Sequence, residues 1–419
     1  MFPRTPAEQP ATLLIQRTVQ PSGHLSRWLI GALMLLVFVA SAACHDPRTG
    51  PPRVVADDVR HAELGSRLFF DRSLSEPAGT SCASCHEPQH GFSGNHEGAT
   101  GVTHGSRPGA VGLRNTPGLT YVSFVPLYSA VGWWFGRPPR GGLFLDGRSD
   151  SLEDQAAGPL LAADEMNNPS AAAVVAKVAR APYADAFIRE FGTDFFADPQ
   201  RAFPVLMQAL AAFERSPALQ SFSSRYDRII QGYDTWTAAE QRGMALFFDP
   251  AKGNCVACHQ ADPGNPDPRA SLFTDFTYHQ LAVPRNLRIP RNADPGFHDL
   301  GLGGPLRPDA PTRDAAAGAF RTPSLRNAAR RTAFMHNGVF STLDEVVAFY
   351  ATRDSDPTRW YHTEEFDDLP PRLRAAVDVE TPPFGAPARL QPTDVADLVA
   401  FLATLGDEPV ITPMARSAP

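Results

Sequence analysis

Three patterns are scarce in this sequence, and each absence narrows its function. No basic run stands out and the formal net charge is -7, which argues against nucleic acid as a partner. Alternation of apolar and polar residues never persists and β-branched runs are few, so a sheet architecture is not expected. A βαβ pattern is missing too, and with it the frame that carries a thioredoxin-like thiol pair. Cysteine is rare, five in 419 residues, yet four of the five fall in "SCASCH" (81–86) and "NCVACH" (254–259).

What remains is ample for globular cores. With 43% apolar and 20% charged residues, the chain is long enough to bury two of them, and two domains are expected. Residues 1–44 read as a leader: Arg4, Arg17 and Arg27 precede the apolar run "WLIGALMLLVFVASAAC" (28–44), the pattern of a secretory signal. A periplasmic protein is expected. Two other fates stay open, an uncleaved anchor, for which roughly 17 residues is the lower limit, and a lipoprotein acylated at Cys44. Against the last, Ser41 stands where such signals usually carry leucine.

One pattern occurs twice. "GSRLFFDRSLSEPAGTSCASCH" (65–86) and "GMALFFDPAKGNCVACH" (243–259) share Gly-x-x-Leu-Phe-Phe-Asp followed by Cys-x-x-Cys-His, the mark of a duplicated unit. In each copy apolar residues at helical spacing run into Leu-Phe-Phe and are broken by Asp, Pro or Gly. A helix thus delivers the chain to a turn bearing the cysteines. Further helical patterns occupy 151–161, 170–192 and 202–216, and 224–236 reads as the junction between halves. The stretches 100–142 and 260–313 read as ordered loops, consistent with 41 prolines and 32 glycines.

Covalent haem attachment needs two thiols spaced for two vinyl groups and an adjacent imidazole to lie under the iron. Cys82-x-x-Cys85-His86 and Cys255-x-x-Cys258-His259 supply both. A zinc site built from all four thiols leaves the histidines without a task, and a disulfide across a two-residue spacer closes a strained loop. Two covalently bound c-type haems are expected. The expected fold is all-α, two cytochrome c-like haem domains (55–225 and 236–406) with extensive loops, related by duplication.

Further motifs agree in order with these: "RNTPGL" (114–119), "LDGRSDSLEDQAAGPLLAADEMNN" (145–168) and "FRTPSLRNAARRTAFMHNGVFSTLDEVVAFY" (320–350). With them the sequence resembles the bacterial di-haem cytochrome c peroxidase and MauG family over roughly residues 55 to 405. The resemblance implies that the N-terminal haem is peroxidatic and the C-terminal haem stores or relays electrons, with His86 and His259 as proximal ligands. It places the family's distal glutamine and glutamate on Gln155 and Glu165. Breaking the O–O bond of peroxide takes a proton from one oxygen and gives one to the other, work suited to a carboxylate in reach, with an amide holding the oxygen in line. Glu165 is thus the expected acid/base and Gln155 the positioning donor. Without the resemblance they read as a solvated loop carboxylate and a helix-surface amide.

Other positions follow from the same resemblance. The sixth ligand of the second haem, often methionine in the peroxidases and tyrosine in MauG, falls on Tyr350. Leu343, Val346, Val347 and Tyr350 line one face of a helix capped by Ser341 or Thr342; Met335 and Met244 are rival ligands. His104 lies in the loop where reductively activated members keep a histidine over the first haem, while His90 and His96 read as surface residues. Leu145 occupies the place of the usual inter-haem tryptophan, with Trp133, Trp134 and Phe144 as spatial substitutes. Calcium between the domains is implied at Asn115 with the carbonyls of Arg331 and Ala333; the bland reading of Asn115 is a turn cap.

Three functions are compatible with these residues. The first is an exported peroxidase that reduces hydrogen peroxide with electrons from a small cytochrome c or copper protein. The second is a MauG-like enzyme that oxidises tryptophan or tyrosine side chains of a partner protein. The third is a non-catalytic di-haem electron carrier. Family members are often dimers, though no stretch of this sequence shows an interface.

Overall fold

In this computed structural model the described residues are 56–94, 100–132, 136–307, 310, 314–362, 365–377 and 379–408. The leader with Cys44, as well as His96, Trp133 and Trp134, lies outside them. In chain order the helices are α1 Ala56–Phe69, α2 Cys82–Cys85, α3 Leu152–Leu161, α4 Ala171–Val178, α5 Ala184–Phe191, α6 Pro199–Glu214, α7 Arg225–Ile230, α8 Ala238–Phe248, α9 Leu343–Thr352 and α10 Pro392–Ala403. A two-residue pair, β1 Tyr278–His279 against β2 Phe320–Arg321, is the sheet among the described residues. The expectation of a helical fold with long ordered loops therefore holds.

Local chemistry explains the helices. Ser151, Ser170, Thr237 and Thr342 accept backbone N–H groups at the starts of α3, α4, α8 and α9, offsetting donors that a helix leaves unpaired. The pattern over 170–192 is two helices rather than one, because Pro182 lies between α4 and α5 and cannot donate to a continuous helix. The expected junction 224–236 is not a plain linker. It opens with α7, whose Tyr226 is fully buried in the second core.

Two cores dominate. One draws on residues from Leu64 to Leu219, the other on residues from Tyr226 to Leu405. Their framing helices repeat one geometry. In α1, Gly65 lies where a Cβ would overlap the Ala209 carbonyl of α6 and press on Phe213. In α8, Gly243 lies where a Cβ would overlap the Asp397 carbonyl of α10 and press on Phe401. Each glycine thus permits a close helix crossing, and Leu68 and Phe69, or Leu246 and Phe247, are buried beside it. Each helix then ends at an aspartate that turns the chain, Asp71 accepting the Ser73 N–H and Asp249 the Ala251 N–H, both at 2.8 Å. Such Asx turns are what bring the cysteines back against the helix.

Gly243→Ala is expected to destabilise the protein by about 1–3 kcal/mol. The overlap is with a backbone carbonyl that cannot swing aside, so it outweighs the roughly 1 kcal/mol that alanine gains in helix propensity. Thermal unfolding of the two proteins side by side checks this; an unchanged or raised midpoint would refute the close-packing argument.

The halves are joined by specific polar ties. The Tyr121 hydroxyl meets both oxygens of Asp407 at 2.8 and 2.7 Å, and Asn327 donates to the same carboxylate at 2.7 Å. Arg114 clasps Asp299 with two bonds of 2.6 and 2.7 Å. Gly101 and Gly338, both at positive φ, meet backbone to backbone with no room for a Cβ on either.

Candidate haem sites

Each Cys-x-x-Cys-His motif lies on one tight turn that closes with its histidine N–H on the carbonyl of the first cysteine, at 2.8 Å in both copies. The imidazole that follows is oriented the same way twice. His86 Nδ1 lies 3.1 Å from the Phe92 carbonyl and His259 Nδ1 lies 3.0 Å from the Phe273 carbonyl. A ring that donates from Nδ1 keeps the Nε2 lone pair for a metal. Burial holds both imidazoles below their ordinary range, His86 down to about 4, with the Arg331 cation adding to the effect there. Both supporting phenylalanines have φ near the left-handed region, 53° and 55°, a strained setting for a bulky residue. The recurrence of that strain at both sites ties it to the histidine contact.

Each imidazole also rests against a Thr-Pro segment, at Pro117 and Pro323. These segments, Thr116-Pro-Gly-Leu119 and Thr322-Pro-Ser-Leu325, form a third repeated element. Both segments stand in motifs legible in the sequence, but their spacing from the cysteines differs greatly between halves, which conceals that they are copies.

Among the described residues the four motif cysteines form no disulfide. Burial pushes Cys82 and Cys255 up to about 12, with Glu214 adding at Cys82 and Cys258 at Cys255. Among the described residues the thiols of the two motifs are not grouped at metal-ligand spacing, so the shared zinc site is not formed. Among the described residues one group has metal-ligand spacing, Cys258, Asp275 and His279, with ligand atoms within 4.8 Å of one another. A thioether at Cys258 and a metal thiolate there exclude each other. His279 is held by Asp275 at 3.2 Å and Thr277 at 2.7 Å. Burial opposes its charged form, yet the Asp275 and Cys258 contacts push it up to about 10.

A cavity of about 650 Å³ adjoins the second motif, lined by Cys255, Cys258, His259, Leu145, Met335 and Tyr350 among others. Its size and largely apolar wall suit a planar cofactor, and the thiols and oriented imidazole at its edge fit haem. Tyr350, on α9, is half-buried and stacks on Phe384 with ring centroids 5.6 Å apart. Burial, with Cys258 and Cys255 adding, pushes its phenol above the ordinary range, so it ionises only against a bound cation. Met335 shares this cavity, whereas Met244 packs against the second core and is absent from the cavity wall.

On the first side, Gln155 is half-buried in α3, and Glu165 follows in the turn after that helix. A strap holds this turn: Ser106 N donates to the Glu165 carbonyl at 2.7 Å and Arg107 donates twice to the Ala163 carbonyl at 3.0 and 2.8 Å. Burial, with Asp164 adding and Arg148 opposing, pushes Glu165 up to about 7. It is near enough to disfavour the Cys82 thiolate. His104 is exposed on the same strap, in a bridge with Val111, and lines a cavity of about 400 Å³ with Cys85.

One expectation needs correction. His90 is no surface residue: it is half-buried and its Nδ1 lies 2.9 Å from the Arg330 carbonyl, tying the halves together. Asn115 is buried and donates to the carbonyls of Ala333 at 2.9 Å and Met335 at 3.1 Å. Phe144 packs under Arg148, whose guanidinium carbon is 3.4 Å from the ring centroid, and is not part of the large cavity's wall. Leu145 does line that cavity, and its carbonyl accepts the Arg321 N–H at 2.9 Å.

Comparison with known proteins agrees with this geometry. The sequence model described as di-haem cytochrome c peroxidase matches residues 59–235. The methylamine utilization protein MauG of Paracoccus denitrificans is 36% identical over 84% of this chain and 89% of its own length. The cytochrome-c peroxidase IdrP2 of Denitromonas iodatirespirans is 30% identical over 80% of this chain and 85% of its own. The crystal structure of the diheme peroxidase BthA from Burkholderia thailandensis superposes with a TM-score of 0.80 at 43% identity, covering 87% of this chain and 89% of that one. Repeated histidine geometry and likeness along most of the chain lead to one conclusion: the protein is an oxidoreductase of the di-haem cytochrome c peroxidase and MauG family, with haem as its cofactor.

Proposed function

We propose that this enzyme reduces hydrogen peroxide to water, each peroxide taking up two protons and two electrons, at a haem attached through Cys82, Cys85 and His86. Electrons enter from a small cytochrome c or copper protein at a second haem, attached through Cys255, Cys258 and His259. When bound, haem iron supplies peroxide binding and the redox chemistry. The chain supplies the proton handling. Glu165, poised near neutrality beside Cys82, takes the proton from one peroxide oxygen and returns it to the other, and Gln155 donates from its amide to hold the oxygen in line. The observation that carries this reading is Glu165 itself: a carboxylate raised by burial to about 7, strapped by backbone hydrogen bonds at the first haem motif.

The same reading includes a haem domain duplicated along the chain, supported by the matched glycine crossings, aspartate turns and histidine supports. It also includes export to the periplasm by the leader. A calcium ion at Asn115 would turn that amide so that its oxygen joins backbone carbonyls, those of Arg331 and Ala333 by the resemblance.

A second reading, oxidation of tryptophan or tyrosine side chains on a partner protein, is favoured by one observation: Tyr350 shares the cavity wall with His259. Leu145 at the inter-haem position weighs against it. Mixing the diferric protein with stoichiometric hydrogen peroxide, without reductant, in a stopped-flow spectrophotometer separates the readings. Rapid Soret changes favour the second, and show that His104 does not cap the first haem. Reaction only after one electron is supplied favours the peroxidase with a capped first haem.

Tyr350→Phe is expected to change the absorption spectrum of the second haem by removing its sixth ligand, and to raise that haem's reduction potential, because phenolate stabilises ferric iron. A spectrum identical to that of the parent protein would exclude Tyr350 as ligand and leave Met335 as the candidate.

A further inference from the structure

Three arginines line the large cavity: Arg321, Arg326 and Arg331. Arg326 is neutralised within the chain by a fork on Asp227, with bonds of 3.0 and 2.8 Å. Arg321 and Arg331 have no carboxylate partner among the described residues. Arg321 is 8% exposed and its Nε has no hydrogen-bond partner. Arg331 is half-buried and donates to the carbonyls of Ala333 at 3.3 Å and Thr116 at 2.7 Å, which are dipoles and not charges. Burial holds both guanidiniums below their ordinary range, Arg331 at about 10.

A cation held out of water without a counter-charge is among the most costly features a fold can carry. Two in one cavity are not an accident of packing, and the fold spends backbone contacts on holding one of them. Arg321 pairs through β2 with Tyr278 and its N–H is fixed on the Leu145 carbonyl at 2.9 Å. The missing charge has to come from what the cavity binds. A haem presents two propionate carboxylates on one edge, and guanidinium is the side chain best matched to a carboxylate.

We propose that Arg321, and Arg331 from the side of the cavity that also faces His86, pair with the propionate carboxylates of the haem attached through Cys255, Cys258 and His259, fixing its orientation and raising its reduction potential. The inference rests on haem occupying that site. Anionic propionates close to iron favour its ferric state, so pairing them with cations makes reduction easier. Since Arg321 is anchored on Leu145, the pairing also couples the second haem to the first half of the chain.

The test uses the holoprotein with Arg321→Met, Arg331→Met and Arg321→Lys. Haem content of the parent protein, from its pyridine haemochrome, comes first: fewer than two haems per chain would remove the underlying reading, separately from this inference. Given two haems, each Met variant is expected to lower the reduced-to-oxidised ratio of the second haem at fixed electrode potential by about tenfold. The propionate bending band in resonance Raman moves to lower frequency, and the melting temperature falls. Arg321→Lys lies between parent and Met variant in all three. An unmoved Raman band with unchanged potential, or a raised melting temperature in Arg321→Met, would overturn the proposal, since removing an unpaired buried cation stabilises. Should Arg321→Met fail to accumulate as holoprotein, Arg321→Lys is expected to accumulate with both haems; equal loss in both counts against it.

Discussion

Glu165→Gln is expected to lower the turnover of hydrogen peroxide by about 10²-fold or more, with both haems retained. The substitution keeps shape and hydrogen-bonding reach and removes only the ability to take up and release a proton. The strap from Ser106 and Arg107 holds the backbone of this turn, so the variant side chain occupies the same place. Because burial has pushed the Glu165 carboxyl up to about 7, the proton-accepting form is depleted as pH falls through that value. Turnover of the parent enzyme should therefore decline on the acid side of about pH 7, and that limb should vanish from the residual activity of Glu165→Gln. Near-normal turnover, or an unchanged acid limb, would remove Glu165 from the proton path.

Asp227→Asn is expected to cost about 3–5 kcal/mol of stability. Asp227 is 1% exposed and accepts the Arg326 fork, the Ser224 N–H at 3.0 Å and the Ser224 hydroxyl at 2.7 Å. Arg326 in turn donates to the carbonyls of Ser271 at 2.8 Å and Pro268 at 2.9 Å and lies over the rings of Tyr121 and Phe222. An amide in place of the carboxylate leaves this guanidinium buried and uncompensated. Denaturant unfolding of the holoprotein measures the loss. A change under about 1 kcal/mol, the worth of an exposed pair, would mean that water reaches Arg326.

What the sequence revealed was local. Gly-x-x-Leu-Phe-Phe-Asp announced both helices and both turns because burial, close crossing and the Asx turn all act within seven residues of one another. Ser341 or Thr342, with Asp344 or Glu345 three residues on, announced the start of α9 for the same reason, Thr342 and Glu345 being the pair the fold uses, and the cavity position of Tyr350 follows from that helix's apolar face. Gln155 and Glu165 needed the resemblance, since an amide on a helix and a carboxylate in a turn carry no local signature of catalysis. The unpaired state of Arg321 and Arg331 could not be read at all. It depends on which carboxylates the fold brings near, and Asp227, near Arg326 in space, lies about a hundred residues away in sequence. His90 was misread for the same reason, its partner being the carbonyl of Arg330.

The clasp at Asp407 separates what joins the halves from what builds each core. Tyr121 and Asn327 both wait for a carboxylate that follows every other described element of the fold, including α10. Each core contains nearly all of its own apolar residues before that point in the chain. A chain cut after Leu405 would therefore keep every apolar residue of both cores and still lose the carboxylate that Tyr121 and Asn327 share, so the last residues bear on the fit of the halves and not on the cores themselves.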